Sequence, residues 1–129
     1  MILPVSEIWI DYFNGEQTPQ TQLLNELLSK EVIVTGDIIL TDVLRGFRQE
    51  RDFQHAQELL LGLPFREMFG QELARQSAKN FRLLLKRGTT VRNTTNLVIG
   101  TFCILDKITL LPNNRDFAPM AEHLGLQLR

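Results

Sequence analysis

Nine consecutive uncharged residues, Leu97-Val-Ile-Gly-Thr-Phe-Cys-Ile-Leu105, constrain this chain more than any other segment. The run falls well short of the roughly 20 apolar residues that cross a bilayer, so protein must bury it. Thr94 and Thr95 stand before it as helix caps, and a helix apolar nearly all round has no face to offer water. Such a helix belongs at the centre of a fold, sandwiched between layers. The chain has 129 residues, enough for a two- or three-layer core, and we expect one domain over residues 1–129. No basic segment precedes a signal-like apolar core, which predicts a cytoplasmic protein without a membrane span.

Around the central helix, strand and helix patterns alternate. Met1 to Val5 is a short apolar run suited to a strand end or an edge because of Pro4. Ser6 is the expected cap of a helix through Phe13, which Asn14-Gly15 ends. Thr18-Pro19 opens the next helix, with Leu23, Leu24, Leu27 and Leu28 on one face. The β-branched Val32-Ile-Val34 predicts a strand, followed after Thr35-Gly36-Asp37 by a helix carrying Ile38, Ile39, Val43 and Leu44. A helix from Arg51 to Leu61, a short strand over Pro64–Glu67 and a helix from Gln71 to Lys86 come next. Ile108–Leu111 and Leu124–Leu128 read as late strands. This alternation implies βαβ units, hence a three-layer α/β/α fold with a mostly parallel sheet of four or five strands.

Several chemistries are weakly supported. The single cysteine, Cys103, lies inside the apolar run and reads as a buried structural thiol. His55 and His123 have no second histidine or cysteine at ligand spacing, so zinc has no framework. The net charge of −1 announces no global field toward nucleic acid. Arg45, Arg48 and Arg51 recur at three-residue steps that would share a helix face, most simply a solvated one. Trp9, Tyr12 and Phe13 fit a packing face better than a base-stacking platform.

In open parallel sheets polar chemistry gathers beyond the carboxyl ends of strands. The positions there are Val5-Ser6-Glu7, Thr41-Asp42, Asn93 to Asn96 and Asn113 to Phe117. With Met1-Ile-Leu, Trp9-Ile-Asp-Tyr-Phe13, Leu40-Thr-Asp-Val-Leu-Arg-Gly-Phe47, Gly88-Thr-Thr-Val-Arg92, Thr101-Phe-Cys-Ile104 and Arg115-Asp-Phe117, the chain resembles the PIN-domain family nearly end to end, in particular the VapC-type toxin ribonucleases. The resemblance implies three or four strand-end carboxylates that hold Mg²⁺ or Mn²⁺ and activate water, a homodimer, and a small VapB-like antitoxin.

Carried over residue by residue, that centre is depleted. Val5 stands where the family has its first aspartate, with Ser6 retained and Glu7 next to it. Asp42 replaces a glutamate, Asn96 the aspartate before the buried helix, and Asn114 the first aspartate of an Asp-Arg-Asp-Phe pattern; Asp116 is retained. Each carboxylate exchanged for an amide removes a charge worth roughly 4 kcal/mol to a unit charge at about 4 Å and an effective dielectric near 20. The expectation is a catalytically silent or very weak relative that keeps the family's protein contacts. Two alternatives stand beside it: a working ribonuclease using Asp42, Asp116 and Glu7, and a non-cleaving RNA-binding module in which Arg45, Arg92 and Arg115 meet phosphate. Asn96 and Asn113-Asn114 also admit a plain reading, as a first-turn polar residue and an ordinary turn.

Overall fold

The structure, a computed structural model, describes residues 1–129. It is an α/β fold of seven α-helices and four short strands, divided into two compact units, Met1–Glu67 and Met68–Arg129.

In the first unit the buried strand β1 (Ile2–Pro4) meets the segment beside Ile33 in a parallel bridge: Val32 O accepts from Ile2 N at 2.9 Å, and Val34 N donates to Ile2 O at 2.8 Å. Continuing along the same segment, β2 (Thr35–Gly36) pairs in parallel with β3 (Phe65–Arg66), Thr35 opposite Phe65. Pro64 donates nothing, but its carbonyl accepts from Thr35 N at 2.9 Å, so the proline sits where only an acceptor is needed. Helix α1 (Ser6–Phe13) buries Ile8 and Trp9 and packs against α2 (Pro19–Leu27) and α3 (Asp37–Leu44). Helix α2 opens as its sequence dictates: Thr18 and Thr21 form a reciprocal capping box and Pro19 takes the first turn. Helix α4 (Glu50–Leu61) turns Ala56 and Leu60 inward against α3.

In the second unit α5 (Gln71–Lys86) buries Leu73, Ser77, Asn80 and Leu84, a stripe at helical spacing laid against α6 (Thr94–Asp106). The central helix is as enclosed as its composition demands, with every residue from Asn96 to Cys103 buried. It stops at Lys107, which takes the left-handed conformation at φ 55°. Strand β4 (Thr109–Leu111) follows and forms a parallel bridge from Leu110 to Leu128. A single 3₁₀ turn (Arg115–Phe117) leads into α7 (Ala118–Leu124), closed by Gly125 at φ 80°.

The expected sheet of four or five strands does not form; the strands make two sheets of two strands each. The strands are too short for a continuous ladder. Val32–Val34 contributes one bridge, at Ile33, and regular pairing begins only at Thr35. The expected strand over Leu124–Leu128 begins as the last residue of α7 and retains only the bridge at Leu128. No helix is long and apolar enough to cross a membrane.

Candidate functional site

In the first unit the candidate positions surround the N-terminus of α1. Val5 is buried and extended, at φ −71° and ψ 160°, and occupies the N-cap. An aspartate or serine there would accept one of the helix's orphan N–H groups; valine has no acceptor, and no side-chain cap forms. The expected cap, Ser6, is instead the first residue inside the helix. Its hydroxyl donates to Oδ2 of Asp42 at 3.1 Å, tying α1 to α3. The other oxygen of Asp42 lies 3.9 Å from Nε of Arg45, one helical turn on. Arg45 is largely exposed, so this pair adds little. Glu7 is exposed in the first turn of α1, where a carboxylate is favoured by the helix dipole.

The second unit holds Asn96, Asn114 and Asp116. The cap of α6 is Asn93 rather than Thr94 or Thr95: its Oδ1 accepts from the backbone N–H of Asn96 at 3.1 Å. That fixes Asn96 in the first helical turn, from which its Nδ2 donates to Oδ2 of Asp116 at 2.8 Å. A carboxylate can only accept, so the partner itself decides which way the Asn96 amide turns. Asn114 caps the 3₁₀ turn, its Oδ1 accepting from the backbone N–H of Asp116 at 2.8 Å. The plain reading of both asparagines, as a first-turn residue and a turn former, therefore describes their local geometry correctly.

The remaining candidates scatter. Arg45 ends α3, Arg48 lies in the loop and Arg51 belongs to α4, so the three do not share one helix face. Arg92 and Arg115 are exposed in the second unit. The ring of His55 stands edge-on to Phe13, and His123 lies 3.7 Å from Glu122. Trp9, Tyr12, Phe13 and Phe47 form one aromatic cluster, with Trp9 wholly buried and the other three partly covered. Beside it on α2, Leu24 and Leu27 are buried, whereas Leu23 and Leu28 stay partly open. Nowhere do three or more His, Cys, Asp or Glu side chains form a group that could hold a metal ion.

Sequence reading placed Asn93 among the strand-end positions but missed it as the cap of α6. Its signal was the three-residue spacing to Asn96, the reach of an N-cap side chain to the N3 amide, which competed with two adjacent threonines.

No protein-family model and no curated protein matches the sequence. Solved structures do match the fold over its whole length. In the crystal structure of VapBC2 from Rickettsia felis bound to a DNA fragment from their promoter, a chain superposes with a TM-score of 0.75 at 19% identity, covering 100% of this chain and 98% of that one. DNA-bound VapBC from Salmonella typhimurium gives 0.75 at 14% identity, with 99% and 96% covered. VapBC-1 from nontypeable Haemophilus influenzae gives 0.70 at 19% identity, with 100% and 97% covered. The chain thus has the fold of a protein component of VapBC toxin–antitoxin complexes.

Proposed function

We propose that this chain is a VapC-like protein of a toxin–antitoxin pair, with a PIN-like three-layer fold, which has kept its protein contacts and lost most or all metal-dependent RNA cleavage. The observation that carries this reading is the fate of the acidic positions. Val5 offers no ligand atom, Asn96 and Asn114 are neutral, and the carboxylates of Asp42 and Asp116 accept hydrogen bonds from Ser6 and Asn96. The donor set does not fit Mg²⁺ or Mn²⁺. A small, tightly hydrated cation surrenders water reluctantly, and two carboxylates already engaged with neutral donors provide too little charge in exchange.

Coverage of nearly whole chains in the VapBC structures supports reading residues 1–129 as one domain. It also supports a VapB-like antitoxin as partner. A homodimer of this chain and a cytoplasmic complex are further parts of the proposal, taken from the sequence resemblance. For an antitoxin helix we favour a groove beside α2, where Leu23 and the C-cap residue Leu28 are partly open, since an amphipathic helix binds by laying its apolar side into a groove. RNA binding without cleavage through Arg45, Arg92 or Arg115 is a subsidiary expectation.

Co-expression with the small open reading frames neighbouring its gene, followed by co-purification, tests the partner. Digestion of RNA with Mg²⁺, Mn²⁺ or EDTA tests the chemistry. A stable complex with a small partner, together with little or no cation-dependent cleavage, is the expected result. A monomer that captures none of those products, or vigorous cleavage abolished by EDTA, overturns the corresponding half.

A further inference from the structure

Asn96 and Asp116 occupy two positions that the family resemblance gives to metal-binding carboxylates, and in the second unit they touch directly, Nδ2 to Oδ2 at 2.8 Å. Two carboxylates at this separation repel each other when both are ionised, and a shared cation relieves the repulsion. An amide in one position reverses the sign of the contact, from repulsion into a charge-assisted hydrogen bond.

We infer that the side-chain amide of Asn96 does the structural work of a bridging cation, docking the 3₁₀ turn Arg115–Phe117 onto the first turn of α6 with no metal. The inference rests on the reading above, that the acidic centre has been lost. The neighbouring bonds fit this role from both sides. Asn93 Oδ1 fixes the backbone of Asn96 at 3.1 Å, and Asn114 Oδ1 fixes that of Asp116 at 2.8 Å. Both partners are thus presented on clamped backbone, so the bond forms at small cost in side-chain freedom. The docked turn matters to the core, because Phe117, directly after Asp116, and Met120, four residues on in α7, are buried at 1% and 0% exposure. An unsettled Asp116 would carry that packing with it.

A single oxygen-for-nitrogen exchange, Asn96→Asp, should therefore turn a cation-indifferent protein into a cation-dependent one. The test is thermal unfolding of the full chain, of Asn96→Asp and of Asn96→Ala, each in EDTA and in millimolar Mn²⁺. The unmodified chain should unfold at the same temperature in both. Asn96→Ala, which loses the bond without gaining charge, should unfold earlier and equally in both. Asn96→Asp in EDTA should fall below Asn96→Ala by roughly 3 °C or more, and Mn²⁺ should return most of that loss. If Asn96→Asp does not fold in EDTA, refolding from denaturant with and without Mn²⁺ makes the same comparison, and failure in both overturns the inference. So does an Asn96→Asp protein that matches Asn96→Ala in EDTA or ignores Mn²⁺ while the unmodified chain is silent, and this leaves the reading of a lost centre standing. An unmodified chain that itself gains stability from Mn²⁺ overturns both.

Discussion

Asn80 of α5 donates from Nδ2 to Oγ1 of Thr101 on α6 at 3.1 Å, with both residues buried, at 5% and 0% exposure. The Thr101 hydroxyl donates to Leu97 O at 2.8 Å, and Asn80 Oδ1 accepts from Gln76 Nε2 at 3.0 Å, so a hydrogen-bonded polar chain links α5 to α6. Thr101→Val keeps the shape and removes the oxygen, leaving a buried amide donor without an acceptor. The expected loss is about 1–3 kcal/mol in chemical denaturation. Thr101→Ser, which retains the hydroxyl, should lose clearly less; a Thr101→Val protein as stable as the unmodified chain beside a destabilised Thr101→Ser would show that the methyl group rather than the bond carries the contact.

Gly100 leaves room on α6 for the side chain of Met120. A Cβ placed on it would lie 2.5 Å from Sδ and 2.8 Å from Cε of Met120, a side chain that is itself wholly buried. Gly100→Ala should therefore destabilise the protein, overpacking of about 1–3 kcal/mol exceeding the roughly 1 kcal/mol that alanine gains in a helix. In a Met120→Ala background the clash is absent, and the same substitution should become stabilising. A cycle of the four proteins measures the change of sign, and additive effects would exclude a steric role for Met120.

Burial, helped by the nearby negative charge of Asp106, pushes the Cys103 thiol up to about 12. In the native protein at neutral pH, alkylation should be at least ~100-fold slower than in denaturant, because the thiolate forms only when the core opens. The folded value lies above the unfolded one, so this group's contribution is fully present below the ordinary thiol value of 9.0 and fades as pH rises toward about 12. Within that window Cys103→Ala should blunt the alkaline decline in stability, which has a limiting slope of about 1.4 kcal/mol per pH unit for one group. An unchanged alkaline profile would assign the decline to other residues.

Installing the acidic set that the resemblance implies, by Val5→Asp, Asp42→Glu, Asn96→Asp and Asn114→Asp together, should create Mg²⁺ or Mn²⁺ binding measurable by calorimetry and EDTA-sensitive ribonuclease activity well above that of the unmodified chain. Val5→Asp carries a local gain as well, since it places a good cap at a helix start that has none. EDTA-sensitive cleavage by the unmodified chain, lost in Asp42→Ala, would show instead that a reduced ligand set suffices.

The sequence by itself determined six of the seven helices. The leucine pairs of α2 behind Thr18-Pro19, the stripe from Leu73 to Leu84 and the charge-free run of α6 each state their periodicity within a few turns, and local pattern is enough for such elements. It also showed that Val5, Asn96 and Asn114 are uncharged; that they stand in place of acids is what the family resemblance implies. Only the tertiary structure decided the rest. Strands of two or three residues carry too little pattern to reveal where pairing begins, so Val32–Val34 read as a strand although its ladder starts at Thr35. Helix α7 was hidden because its seven residues hold one buried side chain, Met120, beside Pro119 and Gly125. Ser6 looked like a cap until Asp42, 36 residues away, proved to be its acceptor. Asn96 and Asp116 are 20 residues apart on two elements, and a contact across that distance depends on how the turn packs against the helix, which no local periodicity encodes.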